Sequence, residues 1–473
     1  MDKNKAFVKN TIILFIGKFA TQFMSLLLLP LYTHYLLTND YGTVDLLQTY
    51  ISLFIPVLTL RIDSAVFRFL IDKRNKHDEI RRIISNIFLI LIFGVLFTIV
   101  AAVVLNFFVN ITYFRSVVIN TIVMMVSSIT LQVLRGLGKN TDYSIASVIT
   151  GAVTLVSNAL LIIVLKFNAD SILIGSSIAN LVCILYVVVD IKIWNYISFK
   201  EVNKTILKDI LNYSFPMIPN ALSWWIVNVS DRTVISIFLG VTVNGIYTVS
   251  CKFSNILNSV FSIVSMSWQE SATLHINDED RDEYFSNMIN SIFMLFSTIS
   301  LLIIAILPFV YNIIIGINYM AAYNYIPLLL YANSWNILIG LIGGIYIAKK
   351  RTKEIASTTI LSAIINIVIN LVLIKFIGLY AACISTLLSY MIMGLYRYFD
   401  CQKYVKLKLS FSKITIFSMV YIISSFIYLG ENLVIKVLNL IFVLIFSILL
   451  NKTIILSAIK IIKQKADMYF SKK

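Results

Sequence analysis

Residues 83–109 read IISNIFLILIFGVLFTIVAAVVLNFFV, a run of 27 positions without a charged side chain. A helix rises ~1.5 Å per residue, so about 20 apolar residues cross the hydrocarbon core of a bilayer. This stretch is long enough to span. Working outward, comparable runs lie at 11–37, 43–67, 116–138, 143–166, 172–194, 213–239, 244–268, 286–312, 325–348, 355–375, 378–398, 412–430 and 433–451. Together they predict about fourteen transmembrane helices. The first run is longer than a signal-peptide core and no small-residue cleavage site follows it, so it reads as a retained span. The interruptions are short, as at Thr38-Asn39-Asp40 and Lys375-Phe376-Ile377-Gly378, and leave no room for a folded extramembrane domain.

Composition agrees. A chain of 473 residues could form about three soluble domains. However, 59% of its residues are apolar and only 13% are charged, against roughly 25% charged in soluble proteins. Mean hydropathy is +0.89. The apolar excess must face lipid. The same numbers exclude a disordered, collagen-like or disulfide-stapled chain. Cys183, Cys251 and Cys383 fall in apolar segments and Cys401 in a basic stretch; no CxxC pair or Cys/His ligand set suggests a metal.

The net charge of +16 fits either nucleic-acid binding or a membrane protein with basic residues on its cytoplasmic side. Their distribution separates the two. With a cytoplasmic N-terminus, 32 Lys and Arg fall on that side and 4 on the other, while Lys18, Arg232 and Lys252 lie inside spans. This bias supports an even span count with both termini cytoplasmic, and removes the need for a nucleic-acid partner. The segment Lys452–Lys473 reads as an amphipathic helix on the membrane surface.

A weak internal repeat is present. Lys139-Asn-Thr-Asp-Tyr-Ser-Ile-Ala-Ser147 echoes Lys349-Lys-Arg-Thr-Lys-Glu-Ile-Ala-Ser357, and Leu36-Leu-Thr-Asn-Asp-Tyr-Gly42 echoes Leu239-Gly-Val-Thr-Val-Asn-Gly245. Six spans per copy give parallel repeats, a transporter signature with the substrate site between the halves. The expected fold is all-α: two pseudo-symmetric six-helix bundles (1–200 and 201–405) around a central cavity, with two extra helices and the tail in 406–473.

Polar residues inside spans are costly and normally face a bundle interior or a wet cavity. Here they form stripes. Span 1 carries Lys18, Gln22 and Ser25. Span 2 carries Asp45, Gln48, Ser52, Pro56, Thr59 and Asp63, with Arg61 and Arg68 near its end. Span 7 carries Asn220, Trp224, Asn228, Asp231 and Arg232, and span 8 carries Thr248, Lys252, Asn255, Ser259 and Ser262. Spans 1 and 2 correspond to spans 7 and 8 in the repeat. Hydroxyls and amides at such positions also serve as plain helix–helix glue, and Asp231–Arg232 could be a purely structural ion pair. Asp231, Arg232 and Lys252 lie roughly 10–13 Å from the span ends, too deep for easy snorkelling. No catalytic constellation, Walker loop or cofactor motif appears, so the reading is of a non-enzyme. His34, His77 and His275 are far apart in sequence.

The chain resembles the polysaccharide transporter branch of the multidrug/oligosaccharidyl-lipid/polysaccharide (MOP) exporter superfamily, the O-antigen and capsule repeat-unit flippases. The resemblance runs over nearly the whole chain. Its local matches are Leu29-Pro30-Leu31…Tyr41-Gly42, Ser64-Ala-Val-Phe-Arg68-Phe69, Asp231-Arg232 with Phe238-Leu239-Gly240 and Gly245-Ile-Tyr247, and the stretch 328–398. It implies a V-shaped cavity lined by helices 1, 2, 7 and 8, the helices that the stripes select. It also implies a bacterial inner-membrane location and an undecaprenyl-diphosphate-linked oligosaccharide as substrate, with membrane lipids, a polysaccharide polymerase and chain-length machinery as partners. Lys18, Arg61, Arg68, Arg232 and Lys252 would then meet the diphosphate, and Gln22, Trp224, Asn228 and Asn255 the sugars. Asp45, Asp63 and Asp231 are the candidate ion carriers. The rival readings are a lipid II-type flippase, a cation-coupled drug exporter, which would want an acidic cavity, and a membrane polymerase or ligase, which would want a sizeable outer loop.

Overall fold

The computed structural model describes residues 3–71, 73, 74, 76–452 and 456; no side chain is described for residues 3–16, 18, 19, 220, 223, 224, 227, 228 and 352. The described residues form helices joined by short turns and loops, without a strand among them. In chain order the helices are α1 (Lys3–Tyr35), α2 (Thr38–Leu58), α3 (Ile62–Ile71), α4 (His77–Phe108), α5 (Phe114–Gly136), α6 (Asn140–Ala159), α7 (Asp170–Ile191) and α8 (Lys204–Ser214). They continue with α9 (Ile218–Phe238), α10 (Val241–Leu274), α11 (Arg281–Ile314), α12 (Ile326–Ala348), α13 (Thr352–Ile377), α14 (Tyr380–Cys401), α15 (Phe411–Leu429) and α16 (Leu433–Leu450). Apart from α3 and α8, each has 18 residues or more, and each long helix answers to one expected span. Among the described residues, ten candidate spans are long and apolar enough to cross a membrane by length and composition; α1, α9, α10 and α14 are not among these ten. The protein is an all-α, multi-pass membrane protein. The tail after Asn451, read as amphipathic, lies outside the described residues except for Lys452 and Leu456.

The helices sort into two compact units. The first holds residues 1–248 and 316–319, so it takes in α9 and the first eight residues of α10. One apolar cluster in it joins Ile62, Val66 and Leu70 of α3 to Ile84 and Ile87 of α4, Val133 and Leu134 of α5 and Val187 of α7. The surface-type helix α8 closes that cluster with Ile210. It is capped by Asn203, whose side-chain oxygen accepts from the Thr205 amide at 2.8 Å.

The second unit holds residues 249–315 and 320–473. Its centre is α12, apolar all round and the most enclosed of the candidate spans. Trp268 of α10 donates its indole N–H to the Leu341 carbonyl of α12 at 2.7 Å. The added helices are fastened by polar contacts: Tyr421 donates to the Pro327 carbonyl at 2.8 Å, Ser424 to Asn439 at 2.9 Å, and Asn451 to Thr298 at 2.8 Å.

Two features depart from the sequence reading. First, span 2 is broken. Leu60 and Arg61 both adopt left-handed backbone, with φ of 50° and 56°, between α2 and α3. Non-glycine residues there cost about 1–3 kcal/mol each and persist only where their surroundings hold them. Pro56 sits in the last turn of α2, and its carbonyl takes the Arg61 amide at 3.0 Å. The polar stripe therefore does not run as one face from Asp45 to Asp63.

Second, Arg397 is no solvated cytoplasmic charge, and Cys401 closes α14, buried, rather than lying in a loop. Arg397 is 3% exposed. It donates to Thr358, Thr359 and the carbonyls of Ile339 and Ile355 at 3.0–3.2 Å, joining α12, α13 and α14. Arg397→Ala removes the donor of these four bonds and opens a cavity. The expected cost is about 2–5 kcal/mol, measurable as a lower melting temperature of the purified protein in detergent.

Candidate functional site

Within the first unit, α2 and α9 run antiparallel, and the first turns of α10 cross α2 near their shared ends. Glycine makes that crossing possible. A Cβ on Gly42 would stand 1.9 Å from the Val241 carbonyl oxygen, and one on Gly245 2.3 Å from that of Thr38. Only two glycines let the backbones approach so closely. The crossing brings the polar faces of the three helices together.

Asp45 of α2 is the hub. Its Oδ2 accepts from Arg232 Nε of α9 at 2.7 Å and from the Thr248 hydroxyl of α10 at 2.7 Å. Asn244 Nδ2 lies at 3.5 Å from the same oxygen and donates to the Gly42 carbonyl at 3.0 Å. The Asp45 and Arg232 side chains are each 13% exposed. Next to this hub, Asp231 accepts from the buried Tyr247 hydroxyl at 3.0 Å. One turn further along α2, the Thr49 carbonyl accepts from Trp225 Nε1 at 2.9 Å, and the Trp225 ring stacks on Tyr50. Beside the local Asp231–Arg232 pairing that the sequence allows, Arg232 makes a cross-helix pair with Asp45. An ion pair this enclosed has little net stabilising value, because desolvation offsets most of the attraction; losing one partner, however, strands the other.

The remaining candidates are placed separately. At the α2–α3 break, Arg61 pairs with Asp63 at 3.1 Å and donates to Ser64 at 3.0 Å. Arg68 is exposed on α3 and Gln22 is half-buried on α1. Lys252, half-buried, and Asn255, exposed, belong to the second unit. The side chains of Lys18, Trp224 and Asn228 lie outside the described residues. Sequence reasoning did not single out Asn244 or Tyr247 as site residues, whereas Trp225 was expected beside Trp224 as a ring for the sugars. Asn244 stood in the repeat motif itself, next to Gly245, and that was the available signal.

No curated protein matches the chain. Several solved structures share its fold. The lipid II flippase MurJ in an inward closed conformation superposes with a TM-score of 0.67 at 17% identity, over 94% of this chain and 100% of that one. An inward-facing multidrug resistance MATE family transporter of the MOP superfamily gives 0.65 at 12%, over 83% and 94%. A MOP superfamily transporter from Pyrococcus furiosus gives 0.62 at 15%, over 85% and 96%. At these identities the likeness is one of fold. The family model described as polysaccharide biosynthesis protein matches residues 7–269, a stretch that covers more than half of the sequence and includes α2, α9 and the Asp45–Arg232 pair, so the chain belongs to the polysaccharide biosynthesis protein family.

Proposed function

We propose that this protein is a flippase. It moves an oligosaccharide linked to undecaprenyl diphosphate from the cytoplasmic to the outer leaflet of the bacterial cytoplasmic membrane, for assembly of a surface polysaccharide. The observation that carries this reading is a guanidinium, Arg232, held among polar helices inside a membrane bundle, in a chain of a polysaccharide biosynthesis family. A guanidinium inside the bundle supplies the donors that an anionic head group takes. Arg232 and Lys252 hold the diphosphate, with Lys18, Arg61 and Arg68 drawing it in from the cytoplasmic side. Gln22, Trp224, Asn228 and Asn255 offer amides and a ring to the sugars. The lipid tail stays in the bilayer while access to the head group alternates between the two sides. Asp45, Asp63 and Asp231 are the groups through which an ion gradient would drive the step. A polymerase that consumes the product outside would supply the pull.

Removing the protein from a producing strain should abolish surface polysaccharide and accumulate the lipid-linked oligosaccharide inside; resupplying the wild-type chain should reverse both. Unchanged surface polysaccharide in the deletion strain would reject the reading. Orientation is tested separately. Reporter fusions at Asn203 should report cytoplasm and fusions at Val241 the outside. A common side for both would contradict the proposed topology.

A further inference from the structure

Asp45 and Thr248 are corresponding residues of the internal repeat, the third position after Gly42 and Gly245 respectively. They bond to each other, at 2.7 Å. The two glycines are corresponding residues as well. Each lies against the opposite helix's first turn, Gly42 on the Val241 carbonyl and Gly245 on that of Thr38. Asn39 and Thr242, three residues before the glycines, form a third such pair: the Thr242 hydroxyl donates to Asn39 Oδ1 at 3.3 Å. Three successive repeat-related pairs thus meet along one seam, in the reciprocal pattern of a two-fold axis.

The seam fixes the Asp45 carboxylate. The backbones cannot slide past one another without the clash that glycine avoids, and Thr248 and Asn244 hold Oδ2 from one side while Arg232 holds it from the other. An anion that takes the Nε–H of Arg232 must therefore displace a carboxylate that does not swing away freely. To win, it must offer more negative charge and more acceptor oxygens than one carboxylate does. A phosphate monoester exceeds a carboxylate on both counts, and a diphosphate ester exceeds it by more. We propose that Asp45 is the selectivity residue of the Arg232 site, an internal competitor that favours lipid diphosphates over lipid monophosphates, with Thr248 as its positioning residue. Specificity of this kind comes from a built-in repulsive element as much as from attraction. The inference rests on the reading that Arg232 binds the substrate phosphate.

The test compares binding of farnesyl diphosphate and farnesyl monophosphate to the purified full-length protein in lipid nanodiscs, with farnesol as the uncharged control. The wild-type protein should prefer the diphosphate by about tenfold or more. Asp45→Asn should raise monophosphate affinity and narrow the preference to about threefold or less, because the amide no longer competes for the guanidinium. Thr248→Val should act in the same direction to a smaller extent, and it decides the question alone if Asp45→Asn does not yield folded protein. If Arg232→Gln abolishes binding of both lipids while neither Asp45→Asn nor Thr248→Val changes the preference, Arg232 binds phosphate and the selectivity role of Asp45 is overturned. If Arg232→Gln leaves diphosphate binding intact, the phosphate site itself is misplaced and the inference falls with it.

Discussion

Arg232→Ala is expected to abolish export of surface polysaccharide and to lower the yield of folded protein. Two effects combine. The variant removes the cation proposed to hold the diphosphate, and it leaves the Asp45 carboxylate enclosed at 13% exposure without its counter-ion. Breaking an enclosed pair from one side costs about 3–5 kcal/mol. The two effects separate in the charge swap Asp45→Arg, Arg232→Asp, which should restore much of the folded yield but not export, since the cation then sits on α2 instead of α9. Lys252→Ala should reduce export with little loss of folded protein, and Lys252→Arg should retain more export than Lys252→Ala. The measurement is surface polysaccharide normalised to membrane-inserted protein. Full export by the Arg232→Ala, Lys252→Ala double variant would show that neither residue grips the substrate.

The second large effect is expected at the glycine seam. In Gly42→Val, the new side chain meets the Val241 carbonyl oxygen at 1.9 Å from its first carbon, and that oxygen belongs to backbone that cannot turn aside. Overpacking of this kind costs about 3 kcal/mol or more. The hub then moves apart, because Asp45 and Thr248 lie one turn along from the glycines. Gly245→Val should do the same from the other side. Gly430→Ala is the control: its added carbon would stand 3.4 Å from the nearest atom, at φ −69°. Melting temperatures in detergent should fall for the first two and stay near wild type for the third. Equal melting of Gly42→Val and wild type would mean that the helices do not approach as described.

The membrane fold was legible because charge is expensive in lipid. Runs such as 83–109 have no other home, and every long helix fell where hydropathy expected one. The polar helices were legible for the same reason. What resisted reading was register. Asp45 and Arg232 were both named from their stripes, but their pairing depends on how α2 lies against α9, which no spacing within either helix contains. The echo of Gly42 in Gly245 did point to a symmetric contact, and with hindsight it also marked Thr248 as the partner of Asp45. The α2–α3 break was hidden because Leu60 and Arg61 are ordinary residues for a helix; only Pro56 hinted at it. Arg397 was counted with the cytoplasmic charges because nothing local distinguishes a snorkelling arginine from one enclosed by the carbonyls and hydroxyls of two other helices.

The central claim is transport of a lipid-linked oligosaccharide, and reconstitution tests it most directly. Purified protein is placed in liposomes with an undecaprenyl-diphosphate oligosaccharide carrying a fluorescent sugar label, and an impermeant quencher is added outside. The account predicts that the quenchable fraction rises from the outer-leaflet share towards completion only in proteoliposomes, and that Arg232→Ala proteoliposomes behave like empty ones. Wild-type proteoliposomes whose quenching stops at the same fraction as protein-free liposomes, with ion gradients of either sign applied, would contradict it.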